Sequence, residues 1–107
     1  MKKRSDYLAL RSGAKAGAPG FLLTARQRAD GGEIRVGITV TRKLGGAVVR
    51  NRIRRRLKEA ARAVLPLHGE PGCDYVLIAR PAAQTRVFAA LLDDLKRALL
   101  TLRRAAS

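Results

Sequence analysis

Between Arg42 and Arg62 the 107-residue chain carries nine basic residues, Arg42, Lys43, Arg50, Arg52, Arg54, Arg55, Arg56, Lys58 and Arg62, against a single acid, Glu59. Guanidinium forks donate paired hydrogen bonds to phosphate oxygens, so the chemistry on offer is the gripping of a polyanion. Set on a helix at about 100° per residue from Val49 onward, Val49, Ile53, Leu57, Ala60 and Val64 fall within one arc of roughly 80°, a stripe able to seat on a core. Arg50, Arg54 and Lys58 run up one flank of that stripe, Asn51, Arg55 and Arg62 occupy the back, and Arg52 and Arg56 lie on the other flank. So many like charges on one helix repel each other. A face that serves only solvation mixes its signs, whereas this one asks for a polyanionic partner.

Residues for bond-making chemistry are missing from the pattern. The eight acids are scattered, and Asp93-Asp94 falls inside a leucine-rich helical segment. There are no paired carboxylates in a plausible site, no His/Cys/Asp cluster with metal-ligand spacing and no nucleophile–base pair. A nuclease acting alone would need acids to hold Mg²⁺. Cys73 and His68, five residues apart in a Pro/Gly loop with no third group, read as surface or strand-edge residues rather than as a thiol nucleophile. One cysteine excludes an internal disulfide and suits a reducing, cytoplasmic location. A formal charge of +15 and a pI near 11.6 imply nucleic acid or an anionic membrane surface. No apolar run approaches the ~20 residues needed to span a bilayer. The charged start, Met1 to Asp6, is followed by no uninterrupted apolar segment, so no signal peptide is expected.

The elements that would position the basic run follow from periodicity and punctuation. Ser5 or Asp6 can cap a short helix with Tyr7 and Leu10 on one face, and Gly13, Gly17, Pro19 and Gly20 end it in a loop. Phe21 to Arg28 reads as a strand with Phe21, Leu23 and Ala25 on one face, and Ala29-Asp30-Gly31-Gly32 as a hairpin turn. Glu33 to Thr41 is the clearest strand: Ile34, Val36, Ile38 and Val40 alternate with Arg35, Gly37, Thr39 and Thr41. Gly45-Gly46 permits a sharp turn into the basic helix, which should stop before Pro66. Cys73 to Arg80 is a continuous apolar run, as expected of a buried strand. A last helix from Thr85 to about Arg104 repeats Phe88, Leu91, Leu92, Leu95, Leu99 and Leu102 at a period near 3.6; these are read as core in preference to a dimer seam.

The string from Gly45 to Leu57, GGAVVRNRIRRRL, resembles the G-x-A-V-x-R-N-R-x-[KR]-R signature of the bacterial ribonuclease P protein subunit. The strands before and after it sit where that family has them, and the resemblance runs from Tyr7 to about Leu102. It implies that Arg42, Lys43, Arg50, Asn51, Arg52, Arg54, Arg55 and Lys58 contact a catalytic RNA. It also implies a cleft, between the first helix and the polar sheet face, for the single-stranded 5′ leader of precursor tRNA. Tyr7 matches the family's cleft aromatic; Arg11 stands where a second is usual, and Thr24 where a further one occurs. Arg35 and Thr39 belong to the same cleft. No catalytic residue and no metal ligand is expected on the protein: the catalyst is RNA, and Mg²⁺ is held by that RNA and the substrate.

The order helix, strand, strand, helix, strand, helix specifies a single α+β domain over residues 1–107, a small mixed sheet with helices on one face. The strand–basic helix–strand unit is a crossover. Twist alone favours the right-handed form; the resemblance implies the left-handed one. The expected function is RNA-binding subunit of ribonuclease P, a monomer within the holoenzyme, with the catalytic RNA and precursor tRNA as partners and no membrane. The rivals are a general RNA- or DNA-binding module such as a small ribosomal protein, and a self-sufficient nuclease.

Overall fold

Burial of alternate residues defines one packed sheet face. The computed structural model describes residues 14–27 and 32–106; the expected first helix with Tyr7, and most of the expected turn at 29–32, lie outside them. The described elements are β1 (Ala14–Gly17), β2 (Phe21–Gln27), β3 (Arg35–Thr39), α1 (Ala47–His68), β4 (Cys73–Ala79) and α2 (Phe88–Ala106), with 3-10 turns at Arg42–Leu44 and Pro81–Gln84. Phe21, Leu23 and Ala25 of β2 and Cys73, Tyr75, Leu77 and Ala79 of β4 turn inward. Against them pack Ile53, Leu57, Ala60, Ala61, Val64 and Leu65 of α1 and Leu91, Leu95, Ala98, Leu99 and Leu102 of α2. This is the expected α+β domain with a mixed sheet, and both the α1 stripe and the α2 leucines are core.

Strand order departs from the expected hairpin. The sheet runs β1-β2-β4-β3, with β4 antiparallel to β2 and parallel to β3. β4 thus lies between the two strands that were expected to pair through residues 29–32. The most continuously apolar strand takes a central place, and β3 becomes an edge. On that edge the inward face of β3 closes poorly: Ile34 and Ile38 are half-buried and Val36 is 43 % exposed, while only Val40 is buried. Unanticipated, too, is β1, which replaces the expected loop over residues 14–17. Its Ala-Lys-Ala-Gly sequence has no β-branched residue to signal a strand. It exists because it pairs with β2 and buries Ala16, the Ala18 amide closing the turn onto the Phe21 carbonyl at 2.9 Å.

α1 also runs past its expected stop. Pro66 lies inside the helix. Its ring removes one amide that would have bonded the Arg62 carbonyl, but Val64 and Leu65, immediately before it, are buried and hold the chain helical. The Gly69 amide caps the end on the Leu65 carbonyl at 2.8 Å. At the other end Gly45 adopts φ +139°, and a Cβ there would stand 3.0 Å from Val49. Only glycine fits that turn without strain.

Polar side chains then lock the layers together. Arg56 of α1 reaches the chain entering α2: its Nε donates to the Ala83 carbonyl at 3.0 Å and its Nη2 to the Arg86 carbonyl. The Arg86 guanidinium in turn donates to both carboxylate oxygens of Asp94, which is buried. Arg80 Nη1 donates to the Ala18 carbonyl at 2.9 Å, and Arg103 binds both the His68 carbonyl and Glu70, each at 3.0 Å. Cys73 begins β4 and is buried rather than on the surface; His68 ends α1, half-buried.

Two predictions test this packing. Burial pushes the Tyr75 hydroxyl above its usual range, with the Glu70 amide donating to its oxygen at 2.9 Å and opposing that shift in part. An unfolded tyrosine ionises near pH 10, whereas the folded one holds its proton higher. Its contribution to stability is therefore complete below about pH 10 and lost as pH rises beyond it. Melting temperature against pH should show that alkaline fall, shallower in Tyr75→Phe; parallel curves would show that Tyr75 does not contribute. Separately, Arg56→Ala should lower the unfolding free energy by about 2 kcal/mol, since it removes charged donors from two backbone carbonyls. Arg55→Ala, on the exposed face, should stay within about 0.5 kcal/mol. Equal urea midpoints for the two variants would contradict the assignment.

Candidate nucleic-acid interface

With its apolar stripe committed to the core, α1 must turn its cations outward. Asn51, Arg52, Arg54, Arg55, Lys58 and Arg62 are exposed, as are Arg42 and Lys43 on the preceding 3-10 turn. Arg50 is half-buried, and its Nε donates to the Gly45 carbonyl at 3.1 Å, tying the helix to the turn that starts it. Arg54 Nη1 donates to Asn51 Oδ1 at 3.2 Å, which orients two of the expected contact residues as a pair. Among the described residues, the counter-charge on this face is Glu59, 3.6 Å from Arg62, both well exposed. Solvent screens such a pair and leaves the face strongly positive. All eight residues expected to contact RNA are thus on one continuous surface formed by the 42–44 turn and α1. Arg56 belongs to the same sequence run but is spent on the fold.

The two flanks of α1 meet different neighbours. Lys58 and Arg62 border an apolar groove between α1 and the β3 edge, lined by Ile34, Val36, Ala61, Leu65 and Pro66. Arg52, Arg55 and Arg56 border a recess of about 440 Å³ that also takes in Glu59 and Phe88. Phe88 was expected in the core; as the first residue of α2 it is instead 37 % exposed. The helix begins at Phe88 rather than Thr85, after a 3-10 turn over residues 81–84, so the ring stands at the helix's first position, at the end of the leucine stripe rather than within it.

On the far side of the sheet from α1 lies a second surface. The register sets Lys15, Thr24, Val76 and Gly37 in one row across the four strands, and Gly17, Leu22, Ile78 and Thr39 in the next. A third row holds Arg26, Asp74 and Arg35. Thr24, Arg35 and Thr39 of the expected cleft therefore do share one face, separated by β4. Tyr7 lies outside the described residues. Leu22, Thr24, Asp74, Val76 and Ile78 are half-buried; Lys15, Arg26, Arg35, Gly37 and Thr39 are exposed. The expectation that β4 is buried throughout thus holds for one face only. Lys15, Arg26, Asp74, Val76 and Ile78 were missed as members of this surface. The Cys73–Ala79 run hides its own alternation, because Val76 and Ile78 are as apolar as their inward neighbours.

Among the described residues, no group of three or more His, Cys, Asp or Glu side chains could hold a metal ion. No described helix is long and apolar enough to cross a membrane.

Comparison with known proteins gives this geometry a family. The family model described as Ribonuclease P matches residues 1–103. A protein of Ruegeria pomeroyi named ribonuclease P protein component is 53 % identical over 103 residues, covering 92 % of this chain and 82 % of its own length. A protein of the same name from Caulobacter vibrioides is 50 % identical, over 95 % of this chain and 69 % of its own. Among solved structures, the RNase P protein of Staphylococcus aureus aligns with TM-score 0.69 at 25 % identity, covering all of this chain and 96 % of that one. That of Thermotoga maritima aligns with TM-score 0.69 at 27 % identity, over 94 % and 91 % of the two chains. The signature on α1 and the fold agree, and the chain belongs to the ribonuclease P protein family.

Proposed function

We propose that this chain is the RNA-binding subunit of ribonuclease P: α1 and the 42–44 turn grip a catalytic RNA, and the open sheet face carries the 5′ leader of precursor tRNA. The observation that carries this reading is the outward run Arg50-Asn51-Arg52…Arg54-Arg55 on a helix whose opposite stripe is buried. Arginine forks there bind successive phosphates in pairs of hydrogen bonds. Across the sheet, half-exposed Leu22, Val76 and Ile78 give a flat floor for sugars and base faces, with Lys15, Arg26, Arg35, Thr24 and Thr39 around it for phosphates and base edges. Single-stranded RNA is held in this way, with an aromatic ring as a frequent addition; Tyr7 would supply it. The catalyst in this reading is the RNA. The metal in this reading is held by RNA phosphates, and the protein contributes charge neutralisation and substrate positioning.

Where activity resides is tested by precursor-tRNA cleavage with catalytic RNA, with and without this protein, at Mg²⁺ levels where the RNA alone is slow. Protein should restore the rate, and protein alone should leave the substrate intact. Cleavage by RNA-free protein, abolished by carboxylate mutations, would overturn the assignment. Binding without stimulation would identify a general RNA-binding module instead. Within the same assay Arg54→Ala should weaken binding to the catalytic RNA and flatten the salt dependence, by about 0.7–0.9 in the log–log slope for one lost phosphate contact. An unchanged slope would remove Arg54 from the interface. For the leader, Tyr7→Ala and Arg35→Ala should weaken holoenzyme binding of precursor tRNA and spare mature tRNA, which has no leader. Equal losses on both substrates would mean that neither residue reads the leader.

A further inference from the structure

The recess between α1 and the start of α2 puts an aromatic ring among cations. Phe88 lines it with Arg52, Arg55 and Arg56, and Glu59 is its single acid. The ring is 37 % exposed although Leu91, Leu95, Leu99 and Leu102 beyond it are buried. Its position is held from both sides. Ahead of it, Arg56 donates to the carbonyls of Ala83 and Arg86; beyond it, the Arg86 guanidinium closes on buried Asp94, two turns into α2. Arg52 and Arg55, in contrast, make no hydrogen bond or ion pair with another described residue and are exposed. A rigid ring beside two uncommitted guanidinium groups is the combination that binds unpaired nucleotides: the ring stacks on a base, and the arginines take the flanking phosphates or stack in turn.

We infer that Phe88, with Arg52 and Arg55, forms a stacking site for one unpaired base of the RNA bound along α1. This rests on the proposed binding of a catalytic RNA and adds to it a contact that is neither a phosphate contact nor part of the sheet face. The recess, about 440 Å³, has room for a single base, and it opens on the same surface as the arginine run. An uninterrupted duplex has no free base to offer, so the site selects a bulged or looped nucleotide. It gives the interface a point of register that a run of phosphate contacts lacks.

The test uses full-length protein and catalytic RNA, with Phe88→Ala, Phe88→Leu and Phe88→Trp. Stacking of one base is worth roughly 1–3 kcal/mol, so the Ala and Leu variants should bind about 5- to 150-fold more weakly, and Trp at least as tightly as wild type. The salt slope should not change in any of them, since no cation is removed. Chemical probing should find one unpaired nucleotide protected by wild type and Trp and reactive with Ala and Leu. Melting temperatures taken alongside guard against misfolding: the Leu variant keeps an apolar side chain, so its affinity should fall with little change in melting. The proposal is overturned if Leu binds as wild type does, if Trp is as weak as Ala, if the slope shifts, or if no nucleotide changes reactivity. Wild-type protein that fails to bind or stimulate the catalytic RNA would bring down the underlying functional reading instead, so the two failures are distinguishable.

Discussion

Charge repulsion along α1 must be outweighed by burial on its other side, and the rest of the molecule is arranged around that balance. Six pairs of like charges stand three or four residues apart: Arg50–Arg54, Arg52–Arg55, Arg52–Arg56, Arg54–Lys58, Arg55–Lys58 and Lys58–Arg62. At 0.2–0.5 kcal/mol each they cost about 1–3 kcal/mol. Ile53, Leu57 and Val64, essentially inaccessible to solvent, contribute roughly 1.5–3 kcal/mol apiece, an upper figure that still leaves burial ahead. The helix therefore exists only as part of the domain. Its cations are preorganised by an apolar stripe that is itself buried, and any polyanion that binds them relieves the strain as it docks.

The same balance decides which cations serve the fold. Arg56 sits next to Arg55 in sequence, yet it is half-buried and bonded to two backbone carbonyls across the helix pair. Arg86 closes on Asp94, Arg80 on the first hairpin and Arg103 on the end of α1. Each of these lies where a helix or strand end leaves carbonyls without partners, or against the buried Asp94 carboxylate. A guanidinium can satisfy two acceptors from a partly exposed position with its stem packed on apolar surface, which a lysine does less well. Some arginines are thus staples here while others face solvent, and net charge alone cannot separate the two.

That division marks the limit of what could be read in the chain. The α1 stripe, the inward face of β2 and the leucine repeat of α2 are local patterns of period 3.6 or 2, and all three are legible in the sequence; β4 is legible as a strand, but not which of its faces turns inward. Strand order is not local. Nothing between Arg28 and Glu33 says that β4, forty residues later, will come between β2 and β3. The 14–17 strand has no β-forming residues and depends on its neighbour; Pro66 is overruled by the burial of Val64 and Leu65. Among candidate site residues, the common surface of those on α1 was foreseeable because one motif holds them. Val76, Ile78 and Asp74 were not, because their membership of the open face depends on pairing across three strands.

Strand order also determines the chemistry of that open face. Had β2 and β3 paired as a hairpin, Thr24 and the Arg35–Gly37–Thr39 row would be neighbours, giving a polar surface of hydroxyls and cations with no apolar floor. With β4 between them, Val76 and Ile78 lie in the middle, flanked by Thr24 and Leu22 on one side and Gly37 and Thr39 on the other. Asp74 falls between Arg26 and Arg35 at one end of the strip and moderates their charge. A strip that is apolar along its centre and polar along both margins matches a single nucleic-acid strand, whose bases have apolar faces and polar edges, better than it matches a duplex presenting only phosphates. One topological choice, the insertion of the most apolar strand at the centre, thus completes the core on one face and leaves a strip with an apolar centre and polar margins on the other.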